Sequence, residues 1–236
     1  QTVVGTSNNV PSAAVIKNAS DVDVTACYDI TYANGALEVT QKALTITANS
    51  DSKVYDGTAL TNSGYTNTAL ASTDHIESVT VTGSQTVVGT SNNVPSAAVI
   101  KNSSNVDVTA SYDITYTNGT LEVTQKAITI TADDKTKVYD NDASTDPALT
   151  ATVTGVPTSG VAPVYTLSRT AGQTVGNYTI TVTAEATSNP NYTITTETGT
   201  FSITPRDLTI QLDTTKVYDG LQFVSTYAAT GAGYTV

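Results

Sequence analysis

One string of this chain appears twice without a change: residues Gln1 to Asn18 return as Gln85 to Asn102. A second signature appears three times, as Lys53-Val54-Tyr55-Asp56-Gly57, Lys137-Val138-Tyr139-Asp140-Asn141 and Lys216-Val217-Tyr218-Asp219-Gly220. Self-similarity at a period of about 80 residues means tandem domains, because each unit must be one recurring structural module. The repeat divides the chain into the C-terminal half of a unit (residues 1–41), a complete unit (42–125), a diverged complete unit (126–204) and the N-terminal half of a further unit (205–236). Because the sequence opens inside a repeat, we expect it to be a segment of something longer, with any secretion signal or anchor outside it.

Composition supplies the secondary structure of the unit. About one residue in five is Thr, Val, Ile and Tyr are plentiful, and Met and Trp are absent, the make-up of half-buried β-strands. Charged residues are only 13% of the chain and leave a net charge of -11. That balance would repel a nucleic-acid backbone and an anionic membrane surface, so neither is an expected partner. No apolar run approaches the ~20 residues of a membrane span. Cys27 is the one cysteine, which rules out an internal disulfide, and its counterpart Ser111 marks a small-side-chain position.

Period-2 alternation locates the strands. Leu44-Thr-Ile46-Thr-Ala48, Ile128-Thr-Ile130-Thr-Ala132 and Leu208-Thr-Ile210-Gln-Leu212 each place aliphatics on one face, and a polar turn then leads into the Lys-Val-Tyr-Asp strand. A middle strand is expected at Ser78–Thr82, with a diverged counterpart in Ala162–Leu167. At the end of the unit, Asn118-Gly119 is the strongest short hairpin signal, since both central residues of a type I′ turn need positive φ. A two-residue loop there would set Tyr116 opposite Leu121 and Ile114 opposite Val123. Asn34-Gly35 would set Tyr32 opposite Leu37, and Thr198-Gly199 would set Ile194 opposite Ile203. The inward face then switches across Gln125-Lys126-Ala127, so a new core begins there. A connection of about three residues, stiffened at the next junction by Pro205, leaves modules little freedom to swing. The expected object is an elongated rod on the order of 100 Å long.

Candidate sites are few. In the repeated motif, Tyr55, Tyr139 and Tyr218 are expected to pack a ring at the core edge and tie down a backbone group through the hydroxyl. Asp56, Asp140 and Asp219 would close a side-chain-to-backbone turn, and Gly57 or Gly220 would supply an unusual φ. Lys53, Lys137 and Lys216 open the same corner. Asp140, Asp142, Ser144 and Asp146 space oxygens at alternate positions, as a calcium loop does, but lack its turn glycine and its bidentate Glu. The expectation there is a solvated acidic loop, with calcium as the alternative and no other cofactor. His75 is the only histidine, and no nucleophile-base-acid set recurs around it, so we expect no enzyme. Asn18, Asn102, Asn118, Asn177 and Asn191 fall in Asn-X-Ser/Thr triplets of the kind a Thr-rich chain produces by chance.

Taken together, Leu44-Thr-Ile-Thr-Ala48 followed by Lys53-Val-Tyr-Asp-Gly57, Gly83-Ser-Gln-Thr-Val-Val-Gly89, Tyr112-Asp-Ile-Thr-Tyr116 and Gly119-Thr-Leu-Glu-Val-Thr124 resemble the YDG and MBG repeats of bacterial surface adhesins. In the diverged unit, Ser168-Arg-Thr-Ala-Gly-Gln-Thr-Val-Gly-Asn-Tyr178 and Asn191-Tyr-Thr-Ile194 resemble the MBG variety. The resemblance implies all-β modules, immunoglobulin-like or β-grasp-like sandwiches strung as an extracellular stalk or fibre on the bacterial cell surface. It carries no catalytic residues. Two alternatives stand beside the stalk: a module that binds a glycan or host protein, and a filament subunit joined head to tail through its half-domains. The expected partners are neighbouring repeats, or identical chains in such a filament.

Overall fold

The structure is a computed structural model that describes residues 1–71, 73–212, 215–222 and 227–230. Among the described residues the chain is all-β, with only single turns of 3₁₀ helix between strands. It separates into two compact units, residues 1–53 with 59–123 and residues 54–58 with 124–236.

The first unit opens with a two-stranded antiparallel sheet of β1 (Gly5–Asn9) and β2 (Gly35–Val39). Then come β3 (Lys42–Ala48), β4 (Asp51–Val54), β5 (Tyr65–Asn67), β6 (His75–Thr82), β7 (Gly89–Lys101), β8 (Tyr112–Thr117) and β9 (Gly119–Thr124). They form a three-stranded sheet in the order β5-β3-β8 and a four-stranded sheet in the order β4-β9-β7-β6. Alternation is the reason they share a core. Leu44 and Ile46 of β3 face Ala98 and Ile100 of β7, with Tyr112 of β8 closing one end. The threonines between the aliphatics of β3 remain partly exposed.

The second unit repeats this plan with β10 (Lys126–Ala132), β11 (Lys135–Val138), β12 (Ala151–Thr154), β13 (Thr166–Arg169), β14 (Gly176–Thr183), β15 (Tyr192–Glu197) and β16 (Gly199–Thr204). Its sheets run β12-β10-β15 and β11-β16-β14-β13. Ile130 and Ala132 of β10 pack with Ile180 and Val182 of β14 and Phe201 and Ile203 of β16. The strands β17 (Thr209–Leu212) and β18 (Tyr227–Thr230) form a further antiparallel pair. The middle strand is longer than Ser78–Thr82 and begins at His75, whereas in the second unit only the end of Ala162–Leu167 enters β13.

The expected hairpins are not there. Instead of folding back on β9, β8 runs parallel to β3, with Lys42 opposite Tyr112 and Ile46 opposite Tyr116. β9 lies in the other sheet, antiparallel to β7, with Gly89 opposite Val123 and Asn93 opposite Gly119. Asn118 and Gly119 therefore carry the chain from one sheet to the other, and neither has a positive φ. Gly119 is needed for a different reason: a Cβ on it would lie 2.4 Å from the Asn49 carbonyl oxygen and 2.6 Å from that of Ala48. The second unit shows the same departure. β15 runs parallel to β10, β16 pairs with β14, and a Cβ on Gly199 would lie 2.5 Å from the Ala132 oxygen. At Asn34-Gly35, β2 pairs with β1, not with the Tyr32 segment.

Candidate functional site: the Lys-Val-Tyr-Asp corner

The motif sits where the short strand after the opening strand ends. β11 runs parallel to β16, with Lys137 opposite Ile203 and Val138 opposite Thr204, and the next backbone N–H, that of Tyr139, donates to the Thr204 carbonyl at 2.9 Å. Tyr55 makes the same bond to Thr124 at 2.8 Å. The aspartate then turns the chain. Asp56 accepts from the Thr58 N–H, Asp140 from that of Asp142 and Asp219 from that of Leu221, each two residues on, as in an Asx turn. The residue after it has positive φ in all three copies, 81° at Gly57, 60° at Asn141 and 78° at Gly220. Asn141 keeps the conformation because a short polar side chain tolerates it.

In the second copy the lysine sits among several carboxylates. Lys137 Nζ lies 2.8 Å from both Asp140 and Asp146 and donates to the Asp142 carbonyl at 2.7 Å, with its side chain only 8% exposed. Asp146 also holds the guanidinium of Arg169, which stacks 4.5 Å over the centre of the Phe201 ring. Burial opposes charge on Lys137, but its bonds to Asp140 and Asp146 outweigh it and raise its pKa. Lys137 and then Thr145 hold Asp140 well below the usual carboxylate range. Burial pushes Asp146 up, and Lys137 and Arg169 more than reverse it. Asp142 and Ser144 are engaged with each other, the Asp142 carboxylate accepting the Ser144 N–H at 2.8 Å. Lys137 thus gathers the Asp140 and Asp146 carboxylates and the Asp142 backbone carbonyl around its ammonium, while the Asp142 carboxylate turns to Ser144. No cluster of three or more metal-binding side chains occurs among the described residues.

The three tyrosines differ in surroundings. Tyr55 belongs to the second unit and is buried there. Its ring meets the edge of Tyr192 at 5.5 Å between centres and 86° between planes, and its hydroxyl accepts the Val161 N–H at 3.2 Å. An edge-to-face pair of this kind contributes about 0.5–1.5 kcal/mol beyond its buried area. Gly57 lies so close to Ser159 that a Cβ would come within 2.0 Å of that carbonyl oxygen. Tyr192 donates from its hydroxyl to the Val161 carbonyl; burial and then the neighbouring Tyr55 raise its pKa. Tyr139 is half-buried beside the core, and Tyr218 is 95% exposed.

Other candidates stay apart from this corner. His75 is exposed at the start of β6 near Glu77, and Cys27 is an exposed free thiol. The reading of the sequence missed Tyr112 and Tyr192, which open the parallel strands β8 and β15. Their signal was present in the recurrence of a tyrosine at the same place in each repeat, Tyr28, Tyr112 and Tyr192. Arg169 was missed because its partner Asp146 lies 23 residues away.

Residues 128–202 match the family model of the MBG domain (YGX type), as the resemblance to YDG/MBG-type repeats anticipated. The match points to a domain of cell-surface proteins. No curated protein and no solved structure gives a significant match. No helix among the described residues is long and apolar enough to cross a membrane.

Proposed function

We propose that this chain is a stalk or fibre segment of a bacterial extracellular surface adhesin, a rod of immunoglobulin-like or β-grasp-like sandwich modules that projects or links functional regions and carries out no catalysis. The observation that supports this most is the make-up of the second unit, which takes in Val54–Thr58 from outside its own repeat and buries Tyr55. Such a unit cannot be drawn out along the chain without also extracting a buried, hydrogen-bonded tyrosine. The MBG-type match over residues 128–202 and the recurrence of one strand plan in both units agree with a part whose use lies in repetition.

Small-angle X-ray scattering tests the reading. A rod should show a maximum dimension on the order of 100 Å from strand rises of ~3.3 Å per residue. A single compact globule of this length would have a radius of gyration of about 18 Å, and that value would sink the proposal. Saturable binding on an array of glycans and matrix proteins would instead make the segment a ligand-binding module.

A further inference from the structure

We infer that each complete unit is a force-bearing clamp, in which tension carried along the chain loads two parallel ladders lengthwise, in shear. The use of such a clamp rests on the stalk reading; the clamp itself follows from how the strands pair.

The pairing that makes it is the one that stands in place of the expected hairpins. In the second unit the chain enters along β10 and β11 and leaves along β15 and β16. β10 runs parallel to β15 from Lys126 opposite Tyr192 to Thr131 opposite Glu197, and β11 runs parallel to β16 from Lys135 opposite Phe201 to Val138 opposite Thr204. The offset between partners is the same in both ladders, although the ladders belong to different sheets. The entering and leaving arms therefore keep one register along their whole length and change sheets together. At the change, Asp134 accepts the Thr200 N–H at 2.7 Å, and Gly199 lies too close to the Ala132 carbonyl to carry a side chain. On either side, Thr131 Oγ1 donates to the Glu197 carboxylate at 2.8 Å and Thr136 Oγ1 to the Ser202 carbonyl at 3.2 Å. All three of these bonds span the same 66 residues. The first unit has the same plan: β3 is parallel to β8 from Lys42 opposite Tyr112 to Thr47 opposite Thr117, β4 lies beside β9, and the Thr120 N–H donates to Ser50 Oγ at 3.0 Å.

Direction decides what such ladders resist. Tension on Gln125 draws the entering arm back from Lys126, and tension on Pro205 draws the leaving arm on past Thr204. These forces act at opposite ends of one parallel register, so the arms must slide past each other and the evenly spaced rungs must give way together. Had β15 and β16 been paired as a hairpin, a pull on Thr204 would act at the open end of the ladder and part its rungs one at a time. The rate of forced unfolding is set by that barrier, which the direction of pulling changes while the equilibrium stability stays the same.

Constant-force unfolding of the 236-residue chain in an optical trap tests this, with Cys27→Ser in every variant so that handles attach only where intended. Held through its two ends, the chain should lengthen in abrupt steps, roughly 250 Å for each complete unit of ~80 residues. Held instead through Ala127→Cys and Thr193→Cys, exposed register partners on β10 and β15, the second unit should unfold at least about tenfold faster at the same force. Handles at Val138→Cys and Thr204→Cys, exposed partners on β11 and β16, put the same question to the other ladder should the first pair disturb the fold. Equal rates in the two directions, or gradual lengthening of the chain held through its ends, overturns the inference. A rod in scattering whose units unfold equally fast either way keeps the stalk and loses the clamp; a compact globule that unfolds slowly in shear does the reverse.

Discussion

The two identical strings, Gln1 to Asn18 and Gln85 to Asn102, let one sequence be compared in two surroundings. Their local backbones agree closely. Gly5 and Gly89 have φ of 136° and 138°, and Ala13 and Ala97 have 51° and 49°. The Ala14 N–H bonds the Tyr32 hydroxyl at 2.8 Å and that of Ala98 bonds Tyr116 at 2.8 Å; Ile16 and Ile100 reach Thr25 and Thr109 in the same way. Their extended structure and burial do not agree. The first copy gives the five-residue β1, the second the 13-residue β7 flanked by β6 and β9. Asn9 is exposed and Asn93 buried; Ile16 is half-exposed and Ile100 fully buried. Backbone conformation, turns and side-chain hydrogen bonds within about twenty residues are written in the string and in the stretch that follows it, where Thr25 and Tyr32 recur as Thr109 and Tyr116. Length of strand and burial come from neighbours supplied by distant parts of the chain.

Substitutions in matched pairs measure that division. The largest contrast is expected at the isoleucines: Ile100→Ala should destabilise the first unit by roughly 2–5 kcal/mol, whereas Ile16→Ala should cost well under half as much. Denaturant unfolding of the two variants, followed by a probe in the first unit, reads the difference. Equal losses would show that the first copy has a core of its own. Next come the asparagines. Asn93 donates from its side-chain amide to the carbonyls of Asn49 and Asn62 at 2.9 and 2.8 Å. Asn93→Ala removes the donor from both half-buried carbonyls, at about 1–3 kcal/mol, while Asn9→Ala should leave the unfolding midpoint where it is.

The same division explains which features the sequence made legible. Alternation shows which side of a strand faces inward, and Leu44, Ile46, Leu121, Val123, Ile128 and Ile130 are all buried. It does not say which strand lies alongside. Two strands joined at Asn118-Gly119 keep compatible phases whether they pair with each other or enter opposite sheets across one core, because both arrangements turn their apolar faces to the same interior. The Asn-Gly signal favoured the hairpin; the parallel register of β8 on β3, closed across some 70 residues of chain, decided otherwise. The corner was legible because an Asx turn and a positive-φ residue are local properties. The Lys137 cluster was legible only in part: its acids were visible as a possible oxygen cage, but Asp146 meets Arg169 through the sheet, a contact no spacing announces.

The smallest expected effect tests the local half of the comparison alone. Asp23 and Asp107 lie in corresponding turns, and their carboxylates accept the N–H of Thr25 and Thr109 at 2.8 and 2.9 Å. Both pKa values are lowered, first by the threonine side chain and then by the threonine N–H, with Lys101 adding slightly at Asp107. A carboxylate whose folded pKa is depressed contributes stability above its unfolded pKa, near ~3.9, and that contribution is lost as the pH falls through the folded value. Both groups are exposed, so each contribution is slight and best read residue by residue. In an NMR titration from pH 6 to pH 2, Asp23 and Asp107 should both titrate below the ordinary aspartate range. Thr25→Val and Thr109→Val should each return the partner aspartate toward that range. If Asp23 titrates as an ordinary aspartate while Asp107 does not, even this local turn depends on neighbours from distant parts of the chain.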